Sequence, residues 1–170
     1  GYEPIKLDTK LDWSEWGGIN RALEMCNNNG ACRKSHVGTM CPSYRVTKDE
    51  QHLTRGRANS LRLAITGQLG PDAFSSEAMY ETMDLCVGCK GCKRECPTGI
   101  DMARMQVELL EQYHQRHGTK MREKLFAYLP RYAPKIKSLH FLLNLRDQIP
   151  GLAKISEWVF GLSSKRQLPK

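Results

Sequence analysis

Apolar residues recur along this chain at the three-and-four spacing of helices, and no segment alternates in the manner of a strand. From Arg55 to Leu69 the positions of Ala58, Leu61, Leu63, Ala64 and Ile65 predict an amphipathic helix stopped by Gly70-Pro71. A shorter helix is predicted from Ile19 to Met25, followed by an irregular loop rich in Asn, Gly and Cys. Ser75 or Ser76 is placed to cap the next helix, which runs through Ala78, Met79 and Met83. Past Cys96-Pro97-Thr98-Gly99, another helix is predicted from near Asp101 to His114. Met102, Met105, Leu109 and Tyr113 recur there once per turn, a stripe that reads as core packing. Two or three more basic, amphipathic helices follow, broken at Pro130, Pro134, Pro150 and Gly151. The expected fold is all-α. Its expected parts are a lead-in segment over 1–16, a cysteine-bearing domain over 17–116 and a basic helical extension over 117–170.

At 170 residues the chain has room for one domain and a small second lobe. Its 40% hydrophobic and 26% charged residues are ordinary for a globular protein. No apolar run reaches the roughly 18 residues that span a bilayer. The first residues, GYEPIKLDTK, lack an initiator methionine and a charged-then-apolar leader, as expected of a piece of a longer chain. Charge is uneven. Residues 1–115 hold 14 basic against 15 acidic side chains, whereas 116–170 hold 12 against 3. Such a tail reads either as a solvated basic surface or as a docking face for an anionic membrane or an acidic partner. Nucleic acid is not expected, because no binding motif accompanies the charge. The expected location is cytoplasmic, peripheral on the inner face of the membrane if the tail docks.

The candidate chemistry lies in seven cysteines: Cys26, Cys32, Cys41, Cys86, Cys89, Cys92 and Cys96. The count is odd, nothing marks secretion, and three of the gaps hold only two or three residues. These features argue against disulfides and for metal ligation. Cys86 to Pro97 reads C-x2-C-x2-C-x3-C-P, the run that ligates [4Fe–4S] clusters in bacterial two-cluster proteins. Three thiolates on one tight loop reach three corners of a cube, and Gly88 and Gly91 let the backbone wrap closely around it. Zinc prefers two separated pairs and fits this triplet badly.

In such runs the fourth cysteine serves the other cluster, so an upstream Cys-Pro is needed to complete the first. Cys41-Pro42 is that residue. Cluster one is therefore expected on Cys41, Cys86, Cys89 and Cys92. Cys26, Cys32 and Cys96 remain for cluster two, one thiolate short. Asn29 stands at i+3 from Cys26, where a four-iron site would carry cysteine. Three thiolates favour a [3Fe–4S] cluster. The alternatives are a [4Fe–4S] cluster whose last iron takes water, His36 or Asn29, or assembly of the four-cysteine cluster alone. Lys90, Lys93, Arg94 and Arg33 flank the ligands and can stabilise anionic clusters, weakly if exposed. Arg55, Arg57 and Arg62 read as a solvated helix face or, less readily, a docking surface.

The Cys-x5-Cys pair, Cys41-Pro42-Ser43-Tyr44 and the later C-x2-C-x2-C-x3-C-P resemble an alpha-helical ferredoxin, the fold of the iron–sulfur subunits of succinate dehydrogenase and fumarate reductase. The order of the two motifs is reversed here, so the likeness is one of ligand spacing. Over about residues 7–115, LDWSEWGG, MCNNNGACRK, GTMCPSYRVTKDEQHLTRGRANSLRLAITGQLG and LCVGCKGCKRECPTGIDMARM are similar to the iron–sulfur region of FAD-linked D-2-hydroxy-acid dehydrogenases of the D-lactate and D-2-hydroxyglutarate type.

That resemblance implies a relay of single electrons from a flavin site, where a D-2-hydroxy acid is oxidised, to a downstream acceptor such as a quinone or a redox protein. These 170 residues leave no room for the flavin domain, offer no glycine-rich segment for it and carry no cysteine after Cys96. FAD and the substrate site are therefore expected on a separate domain or subunit, with no substrate site here. Two other classes are a stand-alone iron–sulfur subunit of a membrane-associated quinone-reducing complex and a structural zinc module without redox function.

Overall fold

Helices account for all the regular structure among the described residues of this computed structural model, which are 3–136 and 145–166. The chain divides into two units, Gly1–Gly118 and Thr119–Lys170. The first holds α1 (Ile19–Glu24), α2 (Pro42–Thr47), α3 (Thr54–Ile65), α4 (Glu77–Asp84), α5 (Gly91–Glu95) and α6 (Met102–His117), joined by loops and single 3₁₀ turns. An all-α fold is what the periodicity leads one to expect, and it accords with the ferredoxin likeness that the cysteine motifs imply.

Local chemistry sets the helix ends. Ser76 caps α4 by accepting from the Met79 N–H at 3.3 Å, and Asp101 caps α6 by accepting from Arg104 N–H at 3.1 Å. Proline pre-sets the first turn of α2, directly after Cys41. α3 ends at Ile65, short of the expected Leu69, because Thr66 closes its last turn and Gly67 turns away at φ +78°. α6 outruns its expected end at His114, reaching His117 before Gly118 stops it.

The core forms where α3 and α6 meet the other elements. Thr54, Arg57, Ala58, Leu61, Ala64 and Ile65 are the buried face of α3, whereas Leu63 is 39% exposed. Met102, Met105, Leu109 and Tyr113 are buried, as the stripe predicts. Fully buried Leu23, Leu53, Leu61 and Leu109 each contribute about 1.5–3 kcal/mol by leaving water. The lead-in segment belongs to this core: Trp13 is buried, and Leu7, Leu11 and Trp16 pack against it. Glu108 on α6 anchors that segment. Its buried carboxylate accepts from the N–H groups of Lys10 (3.0 Å) and Leu11 (3.1 Å) and from Trp13 Nε1 (3.2 Å).

The second unit holds α7 (Met121–Ala127), α8 (Leu129–Ile136) and α9 (Leu152–Phe160). Pro134 was expected to break a helix but lies inside α8. There it removes the hydrogen bond to the Pro130 carbonyl and sets its ring against that carbonyl. Buried Arg146 organises this unit, donating to Ser156 Oγ at 2.6 Å and to the Ser163 carbonyl at 2.7 Å. Residues 137–144 and 167–170 of the expected basic extension lie outside the described residues.

Candidate iron–sulfur centre

Cys41 and the Cys86–Cys92 loop are 45 residues apart in sequence, yet they line one recess. Cys41, Cys86, Cys89 and Cys92 share it with Thr54 and Arg57 of α3 and with Met102 and Ala103 of α6. Cys41 and Cys92 are buried, Cys86 is half-buried and Cys89 is exposed. The four-cysteine set expected for cluster one is thus brought together around a single hollow.

Two helix N-termini meet the sulfurs. The first N–H groups of a helix have no partner within it and carry the positive end of its dipole, so they favour anions. α3 begins after Leu53, which offers no side-chain cap. Its Thr54 N–H donates instead to Cys41 Sγ at 3.1 Å, and the Thr54 hydroxyl lies 2.8 Å from the same sulfur. The next N–H, of Arg55, acts on the Cys32 thiol in the lowering direction. At the start of α6 the N–H groups of Met102 and Ala103 act on Cys92 in the same way. Burial nevertheless dominates, pushing the Cys32 thiol up to about 11 and raising those of Cys41 and Cys92. Burial also acts upward on Cys96. There the Thr98 hydroxyl and the N–H groups of Thr98, Gly99 and Ile100 prevail and lower its pKa.

Backbone conformation is strained in the same loops. Asn28, Cys41 and Lys90 hold positive φ angles of 61°, 53° and 57°, a conformation uncommon for side-chain-bearing residues that Lys48, at the end of α2, also adopts. α5 crosses closely over residues 39–40. A Cβ at Gly91 would lie 3.2 Å from the Met40 Cα and 3.0 Å from Thr39 Oγ1, so glycine is what the approach requires. The Glu95 carboxylate closes the crossing, accepting from the N–H (2.6 Å) and hydroxyl (2.7 Å) of Thr39 and from the Met40 N–H (3.1 Å). The residue before Cys96-Pro97 therefore holds the residues before Cys41-Pro42.

The remaining expected ligands are less closely assembled. Cys26 and Cys32 are buried near each other, and Cys32 also feels Cys41. Arg62 holds this loop by donating to the Cys26 carbonyl at 2.7 Å. Cys96 Sγ lies 3.2 Å from the Thr98 hydroxyl. Asn29 is exposed, with its side-chain oxygen accepting from Ala31 N–H at 2.8 Å. His36 is exposed beside Ser35, Nδ1 to Oγ 3.4 Å. Among the described residues, no three His, Cys, Asp or Glu side chains converge as around a single metal ion.

The arginines of α3 differ from the sequence reading. Arg57 is buried in the wall of the recess, Arg55 pairs with Glu50 at 2.6 Å, and Arg62 is bound to the Cys26 loop. None is a free solvated face. The flanking lysines are also engaged: Lys90 and Lys93 reach buried Asp101 at 3.7 and 3.5 Å. Thr54, Arg57 and Glu95 are site residues that motif reading missed. No motif marked them: Arg57 stands four residues before Leu61 on the buried face of α3, but its residue type reads as solvated.

Residues 22–100 match the 4Fe-4S dicluster domain family, a span that contains all seven cysteines. The chain is 27% identical over 188 residues to a D-2-hydroxyglutarate dehydrogenase of Pseudomonas putida, an alignment covering 90% of this chain and 18% of that protein. It is also 27% identical over 187 residues to one of Escherichia coli, covering 87% of this chain and 18% of the relative. A probable glycolate oxidase iron-sulfur subunit of Bacillus subtilis is 28% identical over 101 residues, covering 59% of this chain and 21% of the relative. The chain spans about a fifth of the length of these relatives. No solved structure matches it. The iron–sulfur resemblance seen in the sequence holds, and the donor set of the recess, thiols met by helix N–H groups, fits such a group.

Proposed function

We propose that this chain is the electron-relay part of a flavin-linked 2-hydroxy-acid dehydrogenase. It takes electrons singly from a flavin on another domain or subunit and passes them through two iron–sulfur clusters to a quinone or redox protein. The observation that carries this reading is the recess lined by Cys41, Cys86, Cys89 and Cys92. The D-2-hydroxyglutarate dehydrogenases among its relatives favour D-2-hydroxyglutarate or a similar D-2-hydroxy acid as the parent substrate.

In this reading the four recess cysteines hold a [4Fe–4S] cluster, and Cys26, Cys32 and Cys96 hold a [3Fe–4S] cluster or a [4Fe–4S] cluster with a non-thiolate ligand. Such clusters supply one-electron steps with little rearrangement. The chain's own residues hold them, shield them from water and set their potentials. Cys89 is the exposed member of its set, so electrons cross to a partner most readily at that edge.

Iron and acid-labile sulfide counts with low-temperature EPR of anaerobically purified protein test the reading. Eight irons or seven are expected, and Cys89→Ala should remove the four-iron signal. Asn29→Cys should convert a three-iron signal toward four-iron. Protein that binds zinc and no sulfide would refute the relay.

A second reading, a stand-alone subunit feeding quinone at a membrane, is favoured by the second unit. There α9 exposes Trp158 (88%) and Ile155 (58%) in the basic stretch of the chain. Its test is co-sedimentation with anionic but not neutral vesicles. No described helix is long and apolar enough to cross a membrane.

A further inference from the structure

Arg57 is buried where a cation needs a reason. It is 2% exposed, in the apolar stripe of α3. Its Nε donates to the Thr82 carbonyl at 3.0 Å and one terminal nitrogen to Ser43 Oγ at 3.1 Å. Among the described residues no carboxylate pairs with it. Taking an unpaired charge out of water costs several kcal/mol, so buried cations are found opposite anions. The groups Arg57 does face are sulfurs: it lines the same recess as Cys41, Cys86, Cys89 and Cys92. Burial acts to lower its pKa, and Cys86, Cys41 and Cys92 act to raise it. Both partners that hold the side chain are neutral, so its positive charge is left for the recess.

We propose that Arg57 is the fixed counter-charge of the cluster on Cys41, Cys86, Cys89 and Cys92, and that it raises the reduction potential of that cluster. The inference rests on the ligand set proposed above. Reduction adds one negative charge to the cluster, and a cation held nearby in a medium of low dielectric stabilises the reduced form more than the oxidised one. Thr82 and Ser43 fix the guanidinium at two points. The field at the sulfurs is therefore pre-set, with no reorganisation needed when the electron arrives. At the other cysteine set Arg55 is neutralised by Glu50, and Arg62 is bound to the Leu23 and Cys26 carbonyls, a contact that an Arg57 variant leaves untouched. Arg57 is a positioning residue in this sense: it biases the order in which the two sites accept electrons without ligating either.

The test is an EPR-monitored redox titration of the whole 170-residue chain, following both cluster signals. In Arg57→Gln the four-thiolate cluster should become at least tenfold harder to reduce, a fall of about 59 mV for one electron. The other cluster should stay at its wild-type value, and Arg57→Lys, which keeps the charge, should restore most of the shift. A change of less than about twofold, or about 20 mV, with iron and sulfide intact overturns the proposal. If Arg57→Gln does not retain its cluster, electron–nuclear double resonance on reduced, ¹⁵N-arginine-labelled protein decides. A ¹⁵N coupling present in the wild type and lost in Arg57→Lys supports the proposal, and identical spectra overturn it. Wild-type protein without sulfide would instead defeat the ligand set, before Arg57 comes into question.

Discussion

Thr54→Val isolates one hydrogen bond at the buried side of the recess. Thr54 is 4% exposed, and valine keeps its volume while deleting the hydroxyl that lies 2.8 Å from Cys41 Sγ. The Thr54 N–H, 3.1 Å from the same sulfur, is untouched. A hydrogen bond to a charged acceptor contributes about 1.5–3 kcal/mol. Only the part that strengthens on reduction moves the potential, and a third of the bond is about 0.5–1 kcal/mol. At about 59 mV per tenfold, this lowers the midpoint by roughly 20–40 mV. Folding stability should fall by about 1 kcal/mol, since one buried acceptor loses one of its two donors. Redox titration reads the first effect and urea unfolding of the apoprotein reads the second. Thr54→Ser should return the wild-type potential. An unchanged or raised midpoint in Thr54→Val, with the cluster fully loaded, would show that this hydroxyl does not act on a cluster ligand.

Three other changes probe the frame around the recess. Gly91→Ala places a methyl 3.2 Å from the Met40 backbone, and overpacking of that kind costs about 1–3 kcal/mol. A lower urea midpoint and reduced iron content are expected, whereas wild-type stability would deny the close crossing. Glu108→Ala strands the Trp13 indole N–H and two lead-in N–H groups, at about 3 kcal/mol or more. Limited proteolysis should then cut within residues 1–12 far faster, and an unchanged cleavage rate would contradict the anchor. Glu95 supplies the pH dependence. The Thr39 hydroxyl, with the N–H groups of Thr39 and Met40, lowers its pKa below the usual carboxylate value. A carboxyl depressed in the folded state stabilises fully above its unfolded pKa of 4.5 and loses that contribution as pH falls through the folded value. Apoprotein stability should therefore fall in acid below about 4.5, and Glu95→Gln should flatten the profile there; a Gln variant with the wild-type profile would assign the acid loss elsewhere.

What the sequence disclosed follows from how local each signal is. Helix periodicity is local, so α3, α4 and α6 are legible from Ala58, Met79 and Met105 and their neighbours, with errors confined to ends such as Ile65 and His117. Ligand spacing is nearly as local. The Cys-x2-Cys-x2-Cys run announces itself, and the pairing of Cys41 with that loop was expected from the proline that follows both Cys41 and Cys96. The buried arginine and the Glu95 clasp were not legible, because each depends on an approach between segments tens of residues apart. Thr39 and Glu95 are separated by 56 positions, and no pattern in either segment specifies the other. Arg57 was misread because a basic residue at helical spacing is normally solvated, whereas here it is buried in the wall of the recess.

For the cluster proposed in the recess, nearby charge must be weighed by burial and not by count. Lys90, Lys93 and Arg94 stand beside the ligands in sequence and look like the natural counter-charges. Two of them already reach Asp101, and their side chains are more than half exposed. At 4 Å a unit charge in bulk water is worth about 1 kcal/mol, against about 4 kcal/mol at an effective dielectric of 20. One guanidinium held inside the wall can therefore outweigh the lysines outside it. The same inequality applies to the N–H groups of Thr54, Arg55, Met102 and Ala103, which are fixed by their helices and aimed inward. α3 contributes both kinds of charge, two N–H groups in its first turn and Arg57 in its second half-turn. The N-termini of α3 and α6, with Arg57, and not the basic surface of the loops, are thus the elements that weigh most on the recess cysteines.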